Sequence, residues 1–249
     1  MKKIYPLILF SLLASALHSQ NQKADSLEGK TRTRFKYETL IIPSVLITYG
    51  VIGLESHALK GVNKNTQHEL KEHIDNQFTV DDISQYAPFI TVYGLNALGV
   101  KGKNNFKDRT IILGTAYLIM GTTVNVIKAT GNEVRPDGSS NNSFPSGHTA
   151  TAFIGAEFLF QEYKNVSLWY GISGYLVAAG TGFFRMYNDR HWLSDVAAGA
   201  GIGILSTKIA YWLHPVIKRT FFKNEEKVSG LVMPYYNGKE YGLGLSMTF

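Results

Sequence analysis

The chain contains no cysteine, so a disulfide framework is excluded. No internal repeat period is visible, which argues against a solenoid. The formal net charge is +6, but Lys and Arg do not form a stripe with interleaved aromatic residues. They cluster at the boundaries of hydrophobic runs, which argues against nucleic acid binding and favours a membrane surface as the reason for the charge. The length of 249 residues suits one domain.

Charge is also missing from long stretches of the apolar segments. Residues 110–127 and 196–206 carry no charged side chain, whereas an amphipathic surface helix would show a polar stripe. We place six apolar segments at 39–54, 84–100, 110–127, 148–160, 167–184 and 195–213. The pattern predicts an all-α fold, a six-helix transmembrane bundle.

The two ends of the chain differ from this helical part. Lys2 and Lys3 precede an apolar stretch, so residues 1–19 are predicted to be a signal peptide or an N-terminal anchor. Residues 20–37 read as a polar arm, and residues 38–215 as the helical domain. Alternating residues around Asn237-Gly238 predict a short β-hairpin at residues 228–249.

Residues 56–83 are rich in acidic residues and histidine. The spacing of His68 and His73 does not bring both rings to one face of a helix, which argues against a metal site. We interpret this stretch as a solvated amphipathic helix near the lipid headgroups. Its polar residues are His57, His68, Glu69, Glu72, His73, Asp75, Asp81 and Asp82.

Three short motifs contain the residues that could take part in catalysis or phosphate binding. They are Lys128-x6-Arg135-Pro136, Pro145-Ser146-Gly147-His148 and Arg185-x5-His191-x3-Asp195. A transferring phosphoryl group needs fixed donors around its oxygens. Charged side chains, a hydroxyl and the N-terminus of a helix can supply them. The candidate phosphate-binding residues are Lys128, Arg135, Ser146, Gly147 and Arg185.

Two histidines divide the remaining work, since one imidazole must attack phosphorus and another must protonate the departing oxygen. Asp195 lies four residues after His191, and on a helix this spacing puts both side chains on one face. The carboxylate can then hold one ring nitrogen protonated and leave the other free to attack. His191 is the predicted nucleophile, His148 the predicted general acid, and Asp195 the residue that orients His191.

On these residues the chain resembles the type 2 phosphatidic acid phosphatase (PAP2) superfamily, in particular its bacterial membrane lipid-phosphatase branch. The resemblance spans residues 128–199. It implies the same roles for His148 and His191, a phosphohistidine intermediate, and no metal or other cofactor. One position departs from the pattern, because many relatives have serine directly before the last arginine and this chain has Phe184.

The resemblance implies a metal-independent phosphatase that removes a phosphomonoester or pyrophosphate from an envelope lipid. The candidate substrates are of the lipid A, undecaprenyl pyrophosphate or phosphatidic acid type. A soluble periplasmic enzyme like the class A acid phosphatases stays open, since the mean hydropathy is only −0.05. A second alternative is a membrane protein that binds lipid headgroups without turnover, although binding alone requires no pair of acid and nucleophile.

The charges of the loops predict the orientation in the membrane. Basic residues concentrate at 101–109 and 218–227, which places those loops in the cytoplasm and the three motifs on the periplasmic side. A cleaved signal peptide followed by six spans would give the opposite orientation. We expect a multi-pass protein of the bacterial inner membrane with its site facing the periplasm, and we make no prediction of its oligomeric state.

Overall fold

A computed structural model describes residues 37–71, 79–222, 229–236 and 241–248. The predicted signal segment and nearly all of the predicted polar arm lie outside the described residues. The described part begins with a 3-10 turn at Tyr37–Leu40. The helices that follow are α1 (Ile41–Gly53), α2 (His57–Lys71), α3 (Val80–Ser84), α4 (Ala87–Ala97), α5 (Phe106–Thr130), α6 (Gly147–Tyr163), α7 (Leu168–Tyr187) and α8 (Leu193–Phe221).

Two strands follow the helices, β1 (Ser229–Tyr236) and β2 (Tyr241–Thr248). They pair antiparallel, with Ser229 opposite Thr248 and Tyr236 opposite Tyr241. The predicted Asn237-Gly238 turn between them lies outside the described residues.

The structure is mostly helical, as predicted, and the described part of the chain contains eight helices. A helix covers each of the six predicted segments, α2 lies within residues 56–83, where an amphipathic helix is predicted, and α3 is additional. The predicted segment 84–100 is divided, since α3 ends at Ser84 and α4 begins at Ala87 with Pro88 in its first turn. Proline fits the first turn of a helix and disfavours a helical residue before it.

Within the described residues, two helices are long and apolar enough to cross a membrane, namely α5 and α8. The segments Tyr37–Gly53 and His57–Lys71 meet at an angle of 94° and pass the same test only when they are taken together as one broken span. That would raise the number of candidate spans in the described residues to three. Helices α4 and α1 are too short to pass this test on their own, since they have 11 and 13 residues.

Polar side chains at the N-termini explain where several helices begin. Asn105 accepts a hydrogen bond from the Asp108 N–H at 2.8 Å at the start of α5, and Ser146 accepts one from the Thr149 N–H at 3.4 Å at the start of α6. Ser167 does the same for α7, accepting from the Trp169 N–H at 3.3 Å. These side chains satisfy N–H groups that have no partner within the helix.

Helix α6 is the centre of the bundle. It packs against α4, α7 and α8, and most of its side chains are buried. Ile154, Phe158 and Leu159 form the core with Ile112 of α5 and Ile202 of α8. Small residues on α8 bring it close to α6, since a side chain at Gly203 would collide with the Ala150 carbonyl. This is the close approach that small residues allow between membrane helices.

The connections between α5 and α8 bring all three sequence motifs to one end of the bundle. Consecutive helices here run in opposite directions, so the end of α5, the start of α6, the end of α7 and the start of α8 lie together. Two backbone contacts join them, because the Ser146 N–H donates to the Asp195 carbonyl at 3.0 Å and the Asp137 N–H to the Asp189 carbonyl at 3.2 Å. We call this end the motif end.

Buried ionic groups join the helices at the opposite end. Arg109 at the start of α5 lies 3.5 Å from Glu162 near the end of α6, and both side chains are fully buried. Glu162 also accepts hydrogen bonds from the Asn104 N–H at 3.0 Å and from the Tyr211 hydroxyl at 2.6 Å. A buried carboxylate needs such partners, so these contacts fix the relative position of α5, α6 and α8.

Candidate active site

His191 and Asp195 are in contact at the motif end, as predicted. His191 is buried, and its Nδ1 lies 3.5 Å from Asp195 Oδ2. The same carboxylate oxygen accepts hydrogen bonds from the Ser143 hydroxyl at 2.5 Å and from the Trp192 N–H at 2.8 Å. With Nδ1 on the side of the carboxylate, Nε2 is the ring nitrogen left for chemistry.

The contact does not arise in the way the sequence predicts. His191 precedes α8 and does not share a helical face with Asp195, since α8 begins at Leu193. Asp195 is the third residue of the helix, and its carboxylate reaches back to the Trp192 N–H as a cap. The i to i+4 spacing therefore brings the two side chains together through the helix cap.

The end of α7 places His191. Asp189 adopts a left-handed backbone conformation with φ of 55°, which ends the helix and reverses the chain. The N–H groups of Arg190 and His191 then donate to the Arg185 carbonyl at 3.0 and 3.2 Å. Asp189 is held from α2, where the Gln67 side-chain N–H donates to it at 2.9 Å.

The surroundings of His191 keep its ring neutral. Burial is the largest effect and lowers the pKa of His191 to about 4, against the opposing influence of Asp195. The positive charges of Arg185 and Lys128 lower the pKa further. A neutral imidazole with a free nitrogen is the form that acts as a nucleophile.

Arg135 and Arg185 offer unused donors at the same end. The Nε of each is buried and has no hydrogen-bond partner among the described residues. Burial, followed by the positive charge of Arg185, lowers the pKa of Arg135, so the two guanidinium groups are close enough to repel each other. Both stay charged at any working pH. An anion bound between the two guanidinium groups would accept hydrogen bonds from these donors and reduce the repulsion between the two positive charges.

Arg185 is fixed by a carboxylate outside the three motifs. Its Nη1 donates to Asp81 Oδ2 at 2.6 Å, and the other oxygen of Asp81 accepts from the Asn188 side chain at 3.0 Å. Lys128, at the end of α5, donates through its Nζ to the Asn142 carbonyl in the loop before the second motif. The predicted cationic residues thus come from three separate elements.

Ser146 has hydrogen-bond partners within the fold. It is fully buried, its N–H donates to the Asp195 carbonyl, and its hydroxyl lies 2.9 Å from the Thr149 hydroxyl. The side chain therefore starts α6 and ties it to α8. The first turn of α6, which begins with Gly147 and His148, still directs its N–H groups toward the motif end.

His148 lies in the first turn of α6 with about a third of its side chain exposed. Its Nε2 lies 3.0 Å from Asp82 Oδ1 in α3. Phe184, the position that departs from the superfamily pattern, packs its ring against Phe183 and Tyr187 on α7.

Sequence reasoning missed Ser143 and the contacts of Asp81 and Asp82. Ser143 lies two residues before the second motif and has no signal of its own. The two aspartates are separated from their partners by 66 residues or more, so only the fold brings them to the site. Among the described residues no group of three His, Cys, Asp or Glu side chains lies close enough to hold a metal, and His73 is outside them.

A cleft opens beside His191 between α2 and the start of α8. Helix α2 is anchored there, because the Asn63 amide donates to the Ser194 hydroxyl at 2.9 Å and accepts from the Ser194 N–H at 3.2 Å. The cleft is lined by Asn63, Thr66, Gln67, Met186, His191, Trp192 and Leu193.

Residues 109–219 match the family model of the PAP2 superfamily. The matched residues contain all the predicted site residues.

Two curated proteins are similar to this chain. The Lipid A 1-phosphatase of Porphyromonas gingivalis is 41% identical over 143 residues, which are 56% of this chain and 32% of the relative. The bacitracin transport permease protein BcrC of Bacillus licheniformis is 30% identical over 128 residues, which are 50% of this chain and 58% of the relative. The matched part thus spans about a third of the length of the first relative and about three fifths of the length of the second.

Among solved structures, the crystal structure of Aquifex aeolicus LpxE aligns with a TM-score of 0.47 and 24% identity, covering 60% of this chain and 94% of that one.

Proposed function

We propose that this chain is a membrane phosphatase that removes phosphate from a lipid through a phosphohistidine intermediate. The main support is that a buried neutral His191, held by Asp195, shares one end of the bundle with the Nε donors of Arg135 and Arg185, which have no hydrogen-bond partner among the described residues. A nucleophile beside vacant cationic donors matches the requirements of phosphoryl transfer.

In the proposed reaction, His191 Nε2 attacks phosphorus and the bond from phosphorus to the leaving oxygen breaks. His148 gives its proton to that oxygen. Water then attacks the phosphohistidine, His148 takes a proton from the water, and the bond between nitrogen and phosphorus breaks to release inorganic phosphate. Lys128, Arg135, Arg185 and the first turn of α6 neutralise the charge on the phosphoryl oxygens.

We propose a phosphate group of an envelope lipid as the substrate, with the lipid A type first. The support is the similarity to a protein named Lipid A 1-phosphatase, and the site lies at one end of the helices, where a lipid headgroup would meet it. Undecaprenyl pyrophosphate and phosphatidic acid share the same anionic chemistry and are the competing substrates.

For the architecture we propose that α1 and α4 to α8 form a membrane-embedded phosphatase domain over residues 38–215. Large apolar side chains on their outer surfaces are exposed, including Val45, Leu118, Trp169 and Leu176. Such a surface suits lipid better than water. We further propose that the protein resides in the bacterial inner membrane with the motif end toward the periplasm, and that residues 228–249 are an appended hairpin.

The test of the activity is release of inorganic phosphate by the full chain in detergent, measured across a panel of lipid phosphates. We expect turnover of at least one member, inhibition by vanadate, and no loss of activity in EDTA, because protein cations supply the charge neutralisation. His191→Ala should lose several orders of magnitude in kcat. Lipid binding without phosphate release would instead favour the non-catalytic alternative.

The soluble alternative has its own test. Membrane insertion does not depend on ionic screening, so a carbonate wash should leave the protein in the membrane pellet. Recovery in the soluble fraction would favour an enzyme of the class A acid phosphatase type.

A further inference from the structure

We propose that Asp82 is the positioning residue of the general acid His148, and that α3 holds Asp82 next to His148. The inference deepens the proposed function and rests on the acid role of His148. It gives a purpose to the five-residue helix that stands outside all three motifs.

Helix α3 places two consecutive carboxylates against two residues of the site. Asp81 is 1% exposed and is fully engaged, with one oxygen on Arg185 and the other on Asn188. Asp82 is 56% exposed at its side chain, and its Oδ1 lies 3.0 Å from His148 Nε2 and 3.8 Å from Arg185 Nη1. The buried Asp81 therefore fixes the helix, and its neighbour reaches the acid.

Further contacts keep α3 in this position. The Ser84 hydroxyl lies 2.8 Å from the Thr181 hydroxyl of α7, and the Gln85 side chain donates to the Asp82 carbonyl at 2.9 Å. Asp82 is thus held by its own backbone as well as by its neighbour. An exposed carboxylate on a backbone fixed in this way can act on its partner without a large entropic cost.

The physical need for this carboxylate comes from the charges around His148. The charged groups that face it are Arg185 from α7 and Asp81 and Asp82 from α3. Arg185 disfavours a second positive charge, and Asp81 is already neutralised by it. Asp82 is then the group that stabilises the protonated ring before the leaving oxygen departs.

The contact between His148 and Asp82 parallels the contact between His191 and Asp195. Asp195 holds one nitrogen of His191, and Asp82 holds one nitrogen of His148. With Nε2 bound to Asp82, the imidazolium has its second N–H, at Nδ1, to donate to the leaving oxygen. Each imidazole thus has its own carboxylate, one for a neutral nucleophile and one for a charged acid.

The test compares Asp82→Asn, Asp82→Glu and the control Glu69→Gln, which removes an exposed negative charge from α2. In Asp82→Asn we expect kcat at pH 7.5 to fall by roughly 10- to 100-fold with a smaller change in KM. The alkaline limb of the kcat profile should move to lower pH, because the charged acid has lost its partner. Asp82→Glu should restore part of kcat, and Glu69→Gln should behave as wild type.

A second measurement does not depend on turnover. The ring nitrogen signals of His148 in 15N-labelled protein should titrate at lower pH in Asp82→Asn than in wild type. An unmoved titration would overturn the proposal, as would a lower KM at unchanged kcat, which would mean that Asp82 occupies the place of the substrate. Absence of phosphate release by the wild type would sink the proposed function itself, so the two failures are distinguishable.

Discussion

At the scale of single residues, the burial of His191 makes a direct prediction about its protonation. Its pKa of about 4 in the folded protein lies below the unfolded value of about 6.5. The folded protein then binds fewer protons between these values, so its stability is fully present above pH 6.5 and falls as the pH drops toward 4. We expect the 15N ring signals of His191 to titrate near pH 4 in the detergent-solubilised protein.

The other histidines provide the internal control for this titration, since the chain has seven. His57 and His68, which are exposed on α2, supply the reference ring signals. A midpoint near 6.5 for His191 would mean that the ring is solvated and would contradict the buried nucleophile.

Ser143 is a second test at this scale, because its hydroxyl donates to the carboxylate that holds His191. Among the described residues, Ser143→Ala leaves Asp195 Oδ2 with the Trp192 N–H and His191 Nδ1 as its partners, and this loosens the orientation of the ring. We expect kcat to fall about 10- to 100-fold with little change in KM, as for other residues that orient a reacting group.

The matched control is Ser173→Ala on the exposed face of α7, where the hydroxyl only bonds the Tyr170 carbonyl of its own helix. Steady-state kinetics of both variants with the best lipid of the panel give the comparison. Equal activity of Ser143→Ala and wild type would remove Ser143 from the site.

At the scale of helices, the close contact of α6 and α8 predicts a strong effect of small additions. A side chain at Gly203 would collide with the Ala150 carbonyl and come within 3.0 Å of the Ile154 nitrogen. Backbone atoms cannot move aside as a side chain can, so Gly203→Ala should destabilise the protein by about 1–3 kcal/mol. Thermal unfolding in detergent measures this as a lower Tm.

The control is Gly121→Ala on α5, where an added Cβ meets nothing within 4 Å. Its Tm should stay the same or rise, since alanine has the higher helix propensity. A loss of stability equal to that of Gly203→Ala would argue against the packing described for α6 and α8.

The sequence predicted the helical segments well and their interruptions poorly. Runs such as 110–127 lack charge and are long enough for a helix, and a helix covers each of them. The break between α3 and α4 was missed, although Pro88 in the first turn of α4 is visible in the sequence. The prediction that His191 and Asp195 share a helical face was wrong, although the two side chains do meet.

For the site, the order and spacing of the motifs predicted which residues lie together. The hydrogen-bond partners of these residues depend on the fold and could not be read from the spacing. Ser146 is one example, because its hydroxyl and N–H are already used by Thr149 and by Asp195. The contact between His148 and Asp82 is another, since 66 residues separate them. Contacts across such distances depend on tertiary packing, which no local pattern shows.

At the scale of the whole molecule, the two ends of the bundle should face opposite compartments. Helix α5 has 25 residues and is therefore about 37 Å long, enough to separate its ends by the thickness of a bilayer. The absence of native cysteine makes a single introduced thiol an unambiguous reporter. We expect Ser139→Cys, at the motif end, to react with an impermeant maleimide in intact spheroplasts.

Lys101→Cys, in the exposed loop before α5, is the control and should react only after lysis. The positive charge of that loop predicts a cytoplasmic location. The reverse pattern of labelling would place the motif end in the cytoplasm and contradict the proposed orientation.

The central claim is that phosphate passes through His191, and a trapped intermediate tests it most directly. Wild-type protein is mixed with a radiolabelled lipid phosphate that it hydrolyses, quenched within milliseconds, and examined for label on the chain. We expect an acid-labile, base-stable phosphoenzyme in wild type and in Ser173→Ala, and none in His191→Ala. Label that persists in His191→Ala, or turnover of that variant at the wild-type rate, would contradict it.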